Sequence, residues 1–228
     1  MRGFFIAGTD TGVGKTEVSR ALCSLLLQRG QAPRPLKPVE TGCAPDHPED
    51  ALALQQACGT SLPLDLICPY RFRLPAAPLV AAEAEGRHID VGHLEAVARQ
   101  ADLIVVEAAG GLIVPLARDG GRVLTNLDFA QRLGLPVILV GRAGLGTLNH
   151  CALSATALAS RGLTLAAIVL NRVAAADDPS VLSNPRWVAE LTGARVLGPT
   201  PFVADAAERP AQLRTFLATL IDTLEARR

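Results

Sequence analysis

Apolar positions change their spacing along this chain in a regular way. Phe4-Phe5-Ile6-Ala7 is a short apolar run, after which Val18, Leu22, Leu25 and Leu26 recur mostly at intervals of three and four, the spacing of one helical face. Leu103-Ile104-Val105-Val106, Pro136 to Val140 and Leu165 to Leu170 are continuous apolar runs, as expected of strands covered on both faces. Val196 to Pro199 predicts a shorter strand. Asp90 reads as the N-cap of a helix in which Val91, Leu94, Val97, Ala98 and Ala101 share a face. Leu124, Leu127 and Phe129 continue a helical pattern after the turn Asp119-Gly120-Gly121, and a long helix is predicted over 148–160. In the last helix Leu213, Phe216, Leu217, Leu220, Ile221 and Leu224 form one stripe, expected in the core rather than at a dimer contact.

Gly30 is placed to cap the first helix, and Pro33 to Val39 predicts a second strand that contains Pro35, a residue expected at a sheet edge or a strand terminus. Prolines 63, 69, 75 and 78 leave no room for a long regular element, with a turn or two of helix over Leu79 to Ala84. Strands alternating with helices define an α/β fold: a mainly parallel sheet of about six or seven strands with helices on both faces. A single domain over residues 1–228 is expected.

Composition narrows the function. Hydrophobic residues make up 49% of the chain and aromatics only 4%, so Ala, Val, Leu and Ile must build the core. With 22 basic and 22 acidic residues the formal charge is zero, which gives no bulk attraction to nucleic acid or to an acidic membrane. No signal peptide or membrane span is apparent, so a cytoplasmic location is expected. Cysteines 23, 43, 58, 68 and 151 are odd in number and lack a Cys-x-x-Cys spacing, which argues against a disulfide framework or a zinc site.

The chemistry centres on Gly8-Thr9-Asp10-Thr11-Gly12-Val13-Gly14-Lys15-Thr16. A glycine-rich turn between a strand and a helix points backbone N–H groups inward, making a concave site for phosphate oxygens. Lys15 can reach the outer phosphates and the Thr16 hydroxyl can ligate Mg²⁺. The loop is a variant, with Thr9 where the usual spacing has Gly; read blandly, it is a packing turn with a solvated lysine. Lys37 falls near the carboxyl end of the second strand, on the rim where open α/β sheets bind ligands, although position alone favours a solvent-facing lysine there. Asp50 is either a metal-bound carboxylate or, the better reading, the N-cap of a helix. Glu107 ends a buried strand on the same rim, where an acid can hold a cation bridging phosphates. Gly110-Gly111 allow close backbone approach, Gly141, Gly144 and Gly146 open another rim loop, and Asn171 could meet a purine edge, though a turn-forming Asn is commoner. No Ser/His/Asp or Cys/His arrangement is evident.

With those residues in hand, the sequence resembles the dethiobiotin synthetase family. The resemblance spans nearly the whole chain: the loop at 8–16, Lys37-Pro38-Val39 with Thr41-Gly42, Asp50 to Leu54, Glu107 with Gly110-Gly111, Leu135 to Val140, and Leu145-Gly146 with Asn149-His150. It implies an ATP-dependent cyclo-ligase acting on 7,8-diaminononanoate and CO₂ or bicarbonate. In that reading Gly12, Val13, Gly14, Lys15, Thr16 and Glu17 hold the ATP phosphates, and Thr16, Asp50 and Glu107 hold Mg²⁺, which reverses the cap reading of Asp50. Lys37 and Lys15 contact the carbamate, Thr11 and Thr41 hydrogen-bond the substrate, Gly110 lies by the nucleotide, and Asn171 with Pro201, Phe202 and Val203 lies against adenine. The resemblance also implies a homodimer in which Leu145, Gly146 and Asn149 act across the interface. Ala108 stands where the family typically has Gly, and its methyl could narrow the approach to the phosphates. Two other classes resemble parts of the chain. A partition-type ATPase switch would carry an extra lysine early in the loop, where this chain has Thr9-Asp10-Thr11. A cobyrinate synthetase would need a glutaminase domain that this length leaves no room for.

Overall fold

The computed structural model describes residues 1–175, 178–205 and 208–225, apart from the side chains of 223–225. The first half runs β1 (Arg2–Gly8), α1 (Lys15–Gln28), β2 (Arg34–Leu36), β3 (Val39–Thr41), α2 (Glu49–Ala57), α3 (Leu64–Ile67), β4 (Tyr70–Phe72), α4 (Pro78–Ala84) and α5 (Val91–Arg99). The second half runs β5 (Leu103–Gly111), β6 (Pro115–Asp119), β7 (Arg122–Thr125), α6 (Asn126–Leu133), β8 (Val137–Arg142), α7 (Thr147–Ser160), β9 (Leu165–Asn171), α8 (Ser180–Thr192), β10 (Val196–Leu197) and α9 (Arg209–Glu225).

Six strands form one sheet in the order β10-β9-β8-β1-β5-β2, every neighbouring pair parallel. Alternation along the strands sorts the core into two layers. Phe4, Ile6, Val105, Ile138 and Val169 face α1 and α9, meeting Leu22, Leu26, Leu217 and Ile221. Phe5, Ala7, Val106, Leu139 and Ile168 face the opposite layer, where Leu94, Val97, Phe129, Cys151 and Val188 lie. The sheet is thus covered on both sides, which is why its strands read as unbroken apolar runs. The α9 stripe through Leu213, Leu217, Leu220 and Ile221 is buried as expected; Leu224 lies outside the described side chains.

Local chemistry explains several boundaries. Gly30 (φ 72°) follows α1, its N–H donating to Leu27 O and that of Gln31 to Leu26 O, the paired closure of a left-handed helix end. The strand expected over 33–39 is two strands: β2 at the sheet edge, then β3 paired with β4. Pro38 has no N–H to continue the ladder, and Lys37 N turns instead to Ile67 O at 2.7 Å. Leu124 belongs to β7 rather than to the following helix. Thr125 caps α6 and Asp128 closes a capping box, so the helix cannot start earlier. The turn at Gly120-Gly121 joins β6 and β7 into a hairpin.

Candidate active site

The phosphate loop leaves β1 and enters α1 through Gly14, the N-cap, at φ 91°. A Cβ at Gly14 would lie 2.0 Å from Asn171 Nδ2, so glycine is required both by backbone conformation and by the strand-end amide behind it. Having no side chain, Gly14 leaves the first N–H groups of α1 without a side-chain cap, the arrangement that suits an anion. Lys15 Nζ donates to Asp10 O across the loop at 2.9 Å. Asp10 is itself held, its Oδ1 accepting from Thr11 N at 2.7 Å and its Oδ2 from Arg142 Nη2 at 2.8 Å.

Behind the loop lies a buried polar cluster. Lys37 is 4% exposed and Glu107 is fully buried. Lys37 Nζ donates to Asp50 Oδ2 and to Glu107 Oε1, each at 2.6 Å. The Thr16 hydroxyl lies 3.0 Å from Asp50 Oδ1 and 2.9 Å from Glu107 Oε1, so its one hydrogen is shared between the two acids. Glu107 is not at a strand end: β5 runs on to Gly111, and its pairing with β1 shifts register between Ile6 and Gly8, just past Glu107. Asp50 is not the helix cap expected from its residue type. Pro48 is the N-cap of α2, and the Asp50 carboxylate is committed to Lys37 and Thr16.

These neighbours set the charges. Burial, and then the nearby Lys37 ammonium, lower the Lys15 pKa from 10.5 to about 8. Burial also pulls on Lys37, but Glu107 and Asp50 overcome it and hold that ammonium well above the ordinary lysine range. Burial would raise Asp50, yet the charge and hydrogen bond of Lys37 bring its carboxyl below the usual value. Lys37 is therefore a fixed cation, whereas Lys15 is poised to gain or lose its proton.

A cavity of about 860 Å³ opens over this cluster. Thr11, Gly12, Gly14, Lys15, Thr16, Glu17, Lys37, Thr41, Asp50, Glu107, Gly110, Asn171, Pro201 and Val203 line it. Val13 does not; it is buried, and its carbonyl accepts from Asn171 Nδ2 at 3.0 Å. Phe202 is also outside the lining, as are Leu145, Gly146 and Asn149, which sit at the exposed start of α7. Ala108 points into the core at 2% exposure and is likewise absent from the lining, so its methyl does not narrow the cavity. Glu40, Arg20, Arg172, Thr200 and Arg209 also line the cavity, although the sequence pattern does not mark them as site residues. Of these Glu40 carried a signal, an acid inside Lys37-Pro38-Val39-Glu40-Thr41. Thr200 donates to Asn171 Oδ1 at 2.8 Å, and Arg209 donates to the carbonyls of Val203 and Ala204 at 2.8 and 3.0 Å.

A parallel sheet with a glycine-rich loop between its β1 and the helix behind it, and a lysine, a threonine and buried acids on the same rim, is that of the phosphate-loop nucleotide-binding class. Residues 2–209 match the family described as AAA domain. A protein of Anaeromyxobacter sp. (strain Fw109-5) named ATP-dependent dethiobiotin synthetase BioD is 48% identical over 96% of this chain and 98% of its own length. One of the same name from Bacillus subtilis (strain 168) is 35% identical over 91% of this chain and 90% of that protein. The chain belongs to the dethiobiotin synthetase family. Among solved structures, the MinC:MinD cell division protein complex of Aquifex aeolicus matches with TM-score 0.58 and 13% identity over 99% of this chain and 96% of that one, a likeness of fold alone.

Proposed function

We propose that this protein closes the ureido ring of dethiobiotin from 7,8-diaminononanoate, CO₂ and ATP, through one domain over residues 1–228. The observation that carries the reading is Lys37, buried between Asp50 and Glu107 beside Lys15 in the cavity of a dethiobiotin synthetase family member. One amine of the substrate takes up CO₂ as a carbamate with loss of a proton. Lys37 and Lys15 offset its negative charge, and Thr11 and Thr41 orient it from the cavity wall. A carbamate oxygen attacks the γ-phosphorus in line and ADP leaves, with Lys15 meeting the developing phosphate charge. The second amine then attacks the carbonyl carbon of the mixed anhydride, and the C–O bond breaks as the ring closes, the departing phosphate taking the proton that the amine loses. Positioning and charge compensation carry the reaction, so no nucleophilic side chain is needed.

Mg²⁺ fits the residues present. The Thr16 hydroxyl and the carboxylates of Asp50 and Glu107 converge as hard oxygen donors, and Glu107 Oε2 is buried with no hydrogen-bond partner among the described residues. Bound there, the ion would neutralise phosphate charge. The 12–17 segment would cradle the phosphates, with Gly110 close by. Asn171, pinned by Val13 and Thr200, would meet adenine together with Pro201, Phe202 and Val203.

A homodimer belongs to the same reading. Leu145 before α7 and Leu182 on α8 are 82% and 85% exposed, which supports an apolar contact there and would let Leu145, Gly146 and Asn149 reach a partner's substrate. No helix of the described residues is long and apolar enough to cross a membrane, and we place the enzyme in the cytoplasm. The test is ADP release by purified protein with Mg²⁺-ATP and bicarbonate. Release that rises on adding 7,8-diaminononanoate is the expected result; hydrolysis indifferent to the diamine would favour a partition-type switch.

A further inference from the structure

The helix that delivers Asp50 does not cap itself. Pro48, its N-cap, makes no side-chain hydrogen bond, and the first-turn N–H groups are met from another element. Glu40, the middle residue of β3, accepts from Asp50 N through Oε1 at 3.1 Å and from Ala51 N through Oε2 at 3.0 Å. Glu40 is only 6% exposed. Two charge-assisted bonds from one planar carboxylate fix both the distance and the tilt of the helix start. The N–H held is that of Asp50 itself, whose side chain reaches Lys37 and Thr16. The strand that holds it begins two residues after Lys37 and carries Thr41 to the cavity.

We infer that Glu40 is a positioning residue of this site: by gripping the backbone of Asp50 and Ala51, it sets the place from which the Asp50 carboxylate meets Lys37, Thr16 and a bound cation. The inference rests on the metal role proposed for Asp50. One buried carboxylate thereby ties the strand following Lys37 to the helix carrying Asp50, so the substrate side and the metal side of the cavity share one support. A cap serving fold stability alone would lower the melting temperature of a variant without changing how its ATP binding responds to Mg²⁺.

ATP affinity measured by calorimetry with Mg²⁺ and with EDTA separates these cases, using wild type, E40A, E40Q, D50A and the E40A/D50A double variant, each checked for folding by circular dichroism. In EDTA, E40A and E40Q should bind ATP within about twofold of wild type, because Glu40 makes no contact with the phosphate loop; D50A, which removes a partner of Thr16, serves as the reference for the double variant and not as a control. With Mg²⁺, E40A should lose roughly 10- to 100-fold, the usual effect of removing a group that orients a metal ligand. E40Q keeps the volume and one acceptor oxygen and should fall between. The double variant should be no weaker than D50A, since Glu40 acts through Asp50. Wild-type Mg²⁺-ATP affinity in both E40A and E40Q would overturn the inference, and so would losses from E40A and D50A that simply add. Should E40A fail to fold, E40Q and E40Q/D50A decide by the same two criteria. Diamine-dependent turnover of the wild type, measured alongside, tests the reaction separately: its absence would sink the proposed activity while the binding cycle still decides the role of Glu40.

Discussion

Lys37 is held by two acids, and what its loss does follows from where they are. Lys37→Ala removes the cation between Asp50 and Glu107 and leaves Glu107 buried beside another carboxylate. Breaking a buried ion pair from one side costs about 3–5 kcal/mol, so the variant should melt earlier and, where still folded, lose roughly 100- to 1,000-fold in ring closure. Its ATP affinity should remain largely intact; equal loss of ATP affinity by calorimetry would contradict a substrate role. That Lys37 stands on the active rim was legible from a strand ending in Lys-Pro. Its burial was not, because Asp50 and Glu107 arrive from 13 and 70 positions away in sequence. Lys15 makes a different prediction. Its pKa of about 8 in the folded protein lies below the ordinary 10.5, so between those values the unfolded chain binds more protons at this site. The contribution of Lys15 to stability therefore rises with pH across that window, as the buried charge is shed. Phosphate charge draws the proton back, so ATP binding at pH 8 to 9 should take up protons and weaken as pH rises through about 8. Calorimetry in buffers of different ionisation enthalpy measures this directly, and uptake absent from wild type would contradict it.

At the scale of elements, the loop between β1 and α1 is the best-determined part. Gly14→Ala forces a side chain into a left-handed conformation and against Asn171 Nδ2, displacing an amide that bonds Val13 and Thr200. Backbone strain of this kind costs about 1–3 kcal/mol. Reduced thermal stability together with weakened ATP binding is expected, and unchanged ATP affinity would show that Asn171 and the loop are not coupled. The strand-loop-helix unit was legible because its apolar spacing and its glycines agree. α8 was not. It buries Asn184, which donates to Ala143 O at 2.8 Å, contains Pro185, and exposes Leu182 and Leu191. Polar-in and apolar-out together erase the helical stripe that marks α1. The division of β2 from β3 escaped for another reason: its cause, the bond from Lys37 N to Ile67 O, is tertiary.

Across the whole molecule, a parallel order brings the carboxyl ends of β1, β2, β5 and β9 to one rim, and residues far apart in sequence become one cavity. This convergence was legible from the alternation of strands and helices with polar residues at the strand ends, since right-handed crossovers leave few alternatives. The surface beyond it was not, because exposed leucines look like core leucines in a sequence. Leu153 on α7 and Leu182 and Leu191 on α8 are 63%, 85% and 59% exposed, and the proposed dimer would bury this side. Leu182→Asp should therefore shift the protein toward monomer in analytical ultracentrifugation and lower turnover without changing ATP affinity; a wild-type sedimentation profile would place any contact elsewhere. The central claim is chemical, and it is tested most directly by supplying labelled bicarbonate with Mg²⁺-ATP and 7,8-diaminononanoate and following both label and ADP. The account predicts one labelled carbon in dethiobiotin for each ADP released. ADP released without label in that product would contradict it.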